Sequence, residues 1–217
     1  MRISWLLILL SFAGRCFAQQ HHDLTIVYDI SINKTKKSSG LEETYNGGTK
    51  SVFISGHKAR IRLVSLMRIQ STFLNYDTST VQQATVVKES GAKKYRFNLS
   101  ADEWKQYNKK YEGSTCRFEN DSLLIAGFNC KKAVISLSSG EDIVAYYTDS
   151  ILPINHFIEP AFQCIPGIVL QYEHTSKRGV ITFKASVVSR DMIEKNIFNI
   201  PSSGIQTRKF IAEEVEE

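Results

Sequence analysis

The sequence predicts a mainly β chain: an antiparallel meander of about ten strands, of sandwich, open-barrel or closed-barrel type, with one covering helix and short helical turns. Three observations carry this. Apolar residues recur with a period of two along most of the chain, turn residues punctuate it at short intervals, and one segment carries a helix start signal.

Taken in order, Leu24 to Ile32 alternates like a half-buried strand, and 34–50 reads as a polar loop with Gly40, Gly47 and Gly48. Strands follow at 51–54 and 59–64 around a turn at Gly56-His57-Lys58, then at 70–76, 81–88 and 93–98. The Asp77-Thr78-Ser79 cluster and Gly91 supply the turns between them. Ser100-Ala101-Asp102-Glu103 is a capping box, in which Ser caps the helix start and Glu reaches back. It opens a helix of about three turns closing near Gly113, with Trp104, Tyr107 and Tyr111 on one face. That aromatic stripe is a core face or a lid over an apolar cavity. Strands resume at 115–119, 123–128 and 130–137, with turns at Asn120-Asp121 and Ser139-Gly140. More follow at 142–148, 168–174 and 179–189, and a short helical turn is expected near Arg190-Asp191-Met192.

The first residues combine Arg2, an apolar run from Trp5 to Leu10 continuing through Ala13, and small residues at Cys16 and Ala18. Such a segment reads as a secretory signal cut after Ala18, because a spanning helix needs roughly 20 apolar residues and Arg15 interrupts this one. The expected organisation is signal 1–18, a single domain 19–212 and an acidic tail 213–217. The expected location is the periplasm or outside, with outer-membrane association through acylated Cys16 as the lipoprotein alternative. No transmembrane segment is expected in the mature chain. The formal charge of +5 falls to +3 once Arg2 and Arg15 are removed, and setting aside four glutamates of the tail leaves a body of +7. Its lysine pairs are scattered without interleaved aromatics, so nucleic acid is not an expected partner.

The mature chain keeps Cys116, Cys130 and Cys164, so one thiol stays outside any intrachain disulfide. Cys116 and Cys130 bracket a hairpin and are the nearest pair, with Cys130–Cys164 as the rival. A catalytic thiol at Cys130 would need a basic neighbour on its own face, whereas Lys131 points to the opposite one. No metal-ligand spacing occurs; the one candidate is His21, third residue after the cut, which with the terminal amine and two amides would make a square-planar Cu(II) or Ni(II) site. No nucleophile elbow, phosphate loop or dinucleotide fingerprint is present. Glu42-Glu43 and Glu141-Asp142 read as solvated pairs. His156 with Glu159, or His174, would be the core of a hydrolase, but nothing assembles nucleophile, base and oxyanion donor, so neither an enzyme nor a cofactor is expected.

Several segments resemble a known family. Ile125-Ala126-Gly127-Phe128-Asn129-Cys130-Lys131-Lys132-Ala133 is similar to its "I-x-G-Y-x-C-K-K-A" segment, and Ala145-Tyr146-Tyr147-Thr148 to its "A-W-Y-T". Ile151-Leu152-Pro153 matches an Ile-Pro loop. Cys164-Ile165-Pro166-Gly167-Ile168-Val169 stands where the signature Gly-Leu-Pro-Gly-Leu-Ile belongs, with Cys164 replacing its first glycine. Gly56 to Arg60 and Phe198 to Pro201 follow the same order. The chain thus resembles the GLPGLI family of exported Gram-negative proteins, kin to lipoprotein-carrier (LolA-like) domains. The resemblance implies a curved, open half-barrel whose concave face holds a lipid, acyl chain or envelope protein without catalysis. An interaction protein that docks on an envelope complex without a small ligand is the alternative.

Overall fold

The structure, a computed structural model, describes residues 23–33, 46–151, 156–176 and 179–211. The signal segment, His21, Cys16, Glu42-Glu43, Pro153 and the acidic tail lie outside the described residues, as does the side chain of His156. Among the described residues twelve strands form one large sheet that is not closed into a barrel, with a single α-helix. The strands are β1 (Leu24–Asn33), β2 (Thr49–Ser55), β3 (Lys58–Val64), β4 (Ile69–Tyr76), β5 (Val81–Ser90) and β6 (Lys93–Ser100). After the helix α1 (Ala101–Tyr107) come β7 (Thr115–Ile125), β8 (Phe128–Ser136), β9 (Asp142–Thr148), β10 (Ile168–Ser176), β11 (Gly179–Ser189) and β12 (Gln206–Arg208).

Two meanders build the sheet. β1 to β6 run outward to one edge, α1 carries the chain to the other edge at β7, and β7 to β11 return inward until β11 pairs with β1. β12 then pairs with β6 in parallel, the single departure from an antiparallel order. β7 also approaches β11, so the second meander rolls over on itself. The period of two explains the burial: Leu24, Ile26, Tyr28 and Ile30 are buried on β1, and Val52 and Ile54 beside them on β2. Two apolar clusters result. One joins β1 to β6 with Trp104 and Ile158; the other gathers β8 to β10 around Phe162 and Ile165.

Several local expectations are corrected. Asn120-Asp121 is a bulge between Glu119 and Ser122 inside the continuous strand β7, where the two polar residues stay solvated while pairing resumes beyond them. The hairpin turn falls instead at Ala126 and Gly127, whose φ values of 47° and 83° fit a two-residue turn with both residues left-handed. The helix keeps its capping box, Ser100 accepting from the Glu103 amide, but stops after two turns. A 3-10 turn at Lys109–Tyr111 completes it, so Tyr111 leaves the helix face and joins the second cluster. Residues 190–192 are not helical; the 3-10 turn there is Lys195–Phe198.

Lys50, expected in a polar loop, belongs to β2 and is buried. A segment from His156 to Gly167, with 3-10 turns at His156–Ile158 and Pro160–Phe162, lies across the sheet as a cover. Its end is fixed by Gly167, where an added Cβ would stand 2.3 Å from the Thr148 carbonyl oxygen. Gly167→Ala is therefore expected to cost about 2 kcal/mol by overpacking, lowering Tm by about 6 °C in a thermal melt.

Candidate functional site

The cover segment lies between two spaces. On one side, Phe157, Pro160 and Gln163 face α1 across a cavity of about 450 Å³ whose other walls include Trp104, Tyr111 and Val81. Its rim is polar, with Asp102, Lys105 and Glu112. The aromatic stripe splits here as the helix ends: Trp104 and Tyr107 stack at 5.7 Å, Tyr107 also meets Phe210, and Tyr111 reaches the cavity from the 3-10 turn. Gln163 Nε2 donates to the Tyr111 carbonyl at 3.2 Å and ties the two walls together.

On the other side, Ile158, Glu159 and Phe162 cover a smaller apolar cavity of about 50 Å³ against Ile26, Tyr28 and Val52. Beside it stands Lys50, among the described residues the one lysine or arginine that is buried. Register explains its placement: Lys50 lies opposite Tyr28 of β1 and Leu63 of β3, in the row that also carries the core. Its Nζ pairs with the Glu159 carboxylate and donates to Tyr172 Oη at 3.1 Å. The rings of Tyr172, Tyr28, Phe162 and Phe183 surround it with centroids 4.8, 5.0, 5.8 and 5.9 Å away. Tyr172 stacks on Phe183 at 4.5 Å and meets Phe162 edge-on, which fixes the cage. Burial, with the negative charge of Glu159 next, pushes the Tyr28 and Tyr172 phenols well above their usual range, so both remain donors. Tyr28 uses its proton on the Val169 carbonyl at 2.7 Å.

The disulfide joins Cys116 of β7 to Cys164 of the cover segment. This corrects both expected pairings. Cys116 lies opposite Ile135 and Cys130 opposite Leu123, so the two sit roughly 17 Å apart along β8 by strand rise. The rolled second meander brings the cover segment over Cys116 instead. Cys164 lies outside the left-handed region, since Ala126 is the one non-glycine described residue with positive φ. Cys130 remains a buried thiol, and burial raises it to about 11, which keeps it protonated and unreactive at neutral pH.

The remaining motif residues do not converge. Lys131 pairs with Asp149 at 2.6 Å, and Lys132 with Glu119 at 3.0 Å, both on the surface. Tyr146 donates to Asp121, Tyr147 is buried edge-on to Phe118, and Thr148 is fully buried. Pro166 is exposed beside the tightly packed Gly167. Among the described residues no group of three or more His, Cys, Asp or Glu is placed to hold a metal, and no helix is long and apolar enough to cross a membrane. His174 lies on β10 opposite Ile143 and Ile181, within an apolar row.

Lys50 and the role of Glu159 are what sequence reading missed. The signal was present: Lys50, Val52 and Ile54 continue one alternating face two residues further back. A lysine at the end of a polar stretch outweighed it. No protein-family model and no curated protein matches the chain.

Proposed function

We propose that this chain is an exported, non-catalytic binding protein that takes an apolar ligand, a lipid or acyl chain, between α1 and the cover segment. The observation that carries the reading is the 450 Å³ cavity walled by Trp104, Tyr111, Phe157 and Pro160, a size and lining suited to a small-molecule ligand. The disulfide supports export, since such bonds persist in oxidising compartments. The resemblance to the GLPGLI family and to lipoprotein carriers points the same way. Carriage here uses a cavity at the edge of the cover segment, because the interior of the sheet is filled by its own side chains.

Trp104 reports on the site directly. In a chain starting at Gln19 it is the single tryptophan, so a brominated acyl chain in the cavity quenches the protein's indole fluorescence. Saturable quenching, and an acyl species recovered by mass spectrometry after organic extraction, are the expected results. Gln163→Phe, which fills the cavity, should weaken quenching at least about tenfold with the fold retained. No quenching and no extracted lipid would sink the reading. Such a result would favour docking on an envelope protein through the edge strand β7, where Phe118 is 52% and Leu124 65% exposed.

A further inference from the structure

Lys50 is anchored to the sheet, but its counter-ion is not. Glu159 comes from the cover segment, flanked by Ile158 and Pro160, which line the small and the large cavity respectively. The small cavity holds about one or two waters at 50 Å³ and has no room for a chain while the cover is seated. Withdrawal of the cover enlarges this space and joins it to the larger one, since the same short segment is a wall of both. The same movement strips Glu159 from Lys50.

With Phe162 leaving on the cover, an ammonium left against the rings of Tyr28, Tyr172 and Phe183 without an anion is disfavoured. A neutral ligand entering there leaves that charge uncompensated; a ligand carrying its own anion does not. The chemistry of the exchange is like for like, because Glu159 presents a carboxylate to Lys50 Nζ and the neutral Tyr172 hydroxyl stands 3.1 Å from the same nitrogen as a second polar contact. We infer that Lys50 is a head-group site, selecting an amphiphilic monoanion, a long-chain carboxylate, that replaces Glu159 at Nζ while its hydrocarbon occupies the space against α1. Glu159 is then the internal competitor that keeps the site closed when no such ligand is present. This rests on the binding reading above and adds to it the class of ligand and the gate.

The test compares two probes of equal chain length, dibromostearic acid and the corresponding dibrominated alcohol. Both are titrated below their aggregation concentrations into the full chain lacking residues 1–18, with Trp104 quenching as readout. The acid is expected to bind at least about tenfold more tightly than the alcohol at neutral pH. Lys50→Met should remove that preference, so that the acid binds no more tightly than the alcohol. Lys50→Arg, which keeps the charge, should retain the preference and guards against a misfolded Met variant. Glu159→Gln should tighten both probes, the acid about fivefold or more, because neither then has to displace the carboxylate, and should keep the preference for the acid. Equal affinities for the two probes, or a preference that survives Lys50→Met, overturn the head-group assignment while leaving the apolar cavity intact. Failure of both probes to quench overturns the binding reading and this inference with it.

Discussion

Reduction of the Cys116–Cys164 disulfide lowers the stability of the domain by about 4 kcal/mol. The bond closes a loop with a sequence separation of 48, and loop closure of that length in the unfolded chain carries an entropy of this size in the chain-entropy treatment. Urea unfolding with and without dithiothreitol, followed by tyrosine and Trp104 fluorescence, measures it. Cys116→Ser with Cys164→Ser should reproduce the loss in the absence of reductant. Cys130→Ala should leave the redox dependence intact, because Cys130 is a buried thiol outside the bond. Persistence of the redox effect in the Cys116→Ser, Cys164→Ser protein would refute the pairing. Reduction should also loosen the cover segment before the sheet melts, since Cys164 is its tie to β7, and hydrogen exchange of residues 157–167 should rise first.

Breaking the Lys50–Glu159 pair from one side costs about 3 kcal/mol, the low end for a buried pair, because Glu159 is 21% exposed while Lys50 is 8% exposed. Glu159→Leu and Lys50→Met should each show this loss in urea denaturation. Their combination should recover most of it, since an apolar pair removes the charge that each single change leaves stranded. The coupling energy in this cycle is the measurement. Additive losses would mean that the ammonium and carboxylate do not meet in solution, and the closed cover would then need another explanation.

Most of the sheet was legible because its signal is local. Alternation in Leu24 to Ile32 or Asp142 to Thr148 reports a face directly, whatever the rest of the chain does. The capping box was equally local, and Ser100 and Glu103 make both of its bonds. β12 was illegible for the opposite reason: Gln206, Thr207 and Arg208 are all exposed, and it is a strand through its pairing with β6. Asn120-Asp121 carries turn chemistry, yet a bulge uses the same residues without ending the strand. The site was harder still. The pairing of Lys50 with Glu159, 109 positions away, and of Cys116 with Cys164 depends on how the second meander rolls and where the cover lands. No spacing rule encodes that. The apolar face was visible in the pattern, but its covering by a segment of the same chain was not.

The position of β1 has a kinetic consequence. It is the first strand of the described chain, yet it sits in the middle of the sheet, flanked by β2 and by β11. Thr25 is partnered by Ser189, so this seam closes only when nearly the whole sequence is available. For a protein delivered N-terminus first, the six-stranded half assembles with the far flank of β1 unpaired, displaying Leu24, Ile26, Tyr28 and Ile30 beside open amides. High contact order makes the closing step slow, and a nascent half with such a seam is a substrate for holding chaperones and for self-association. Refolding should therefore be limited by capture of β11, and chains truncated before Gly179 should aggregate rather than form a stable smaller sheet.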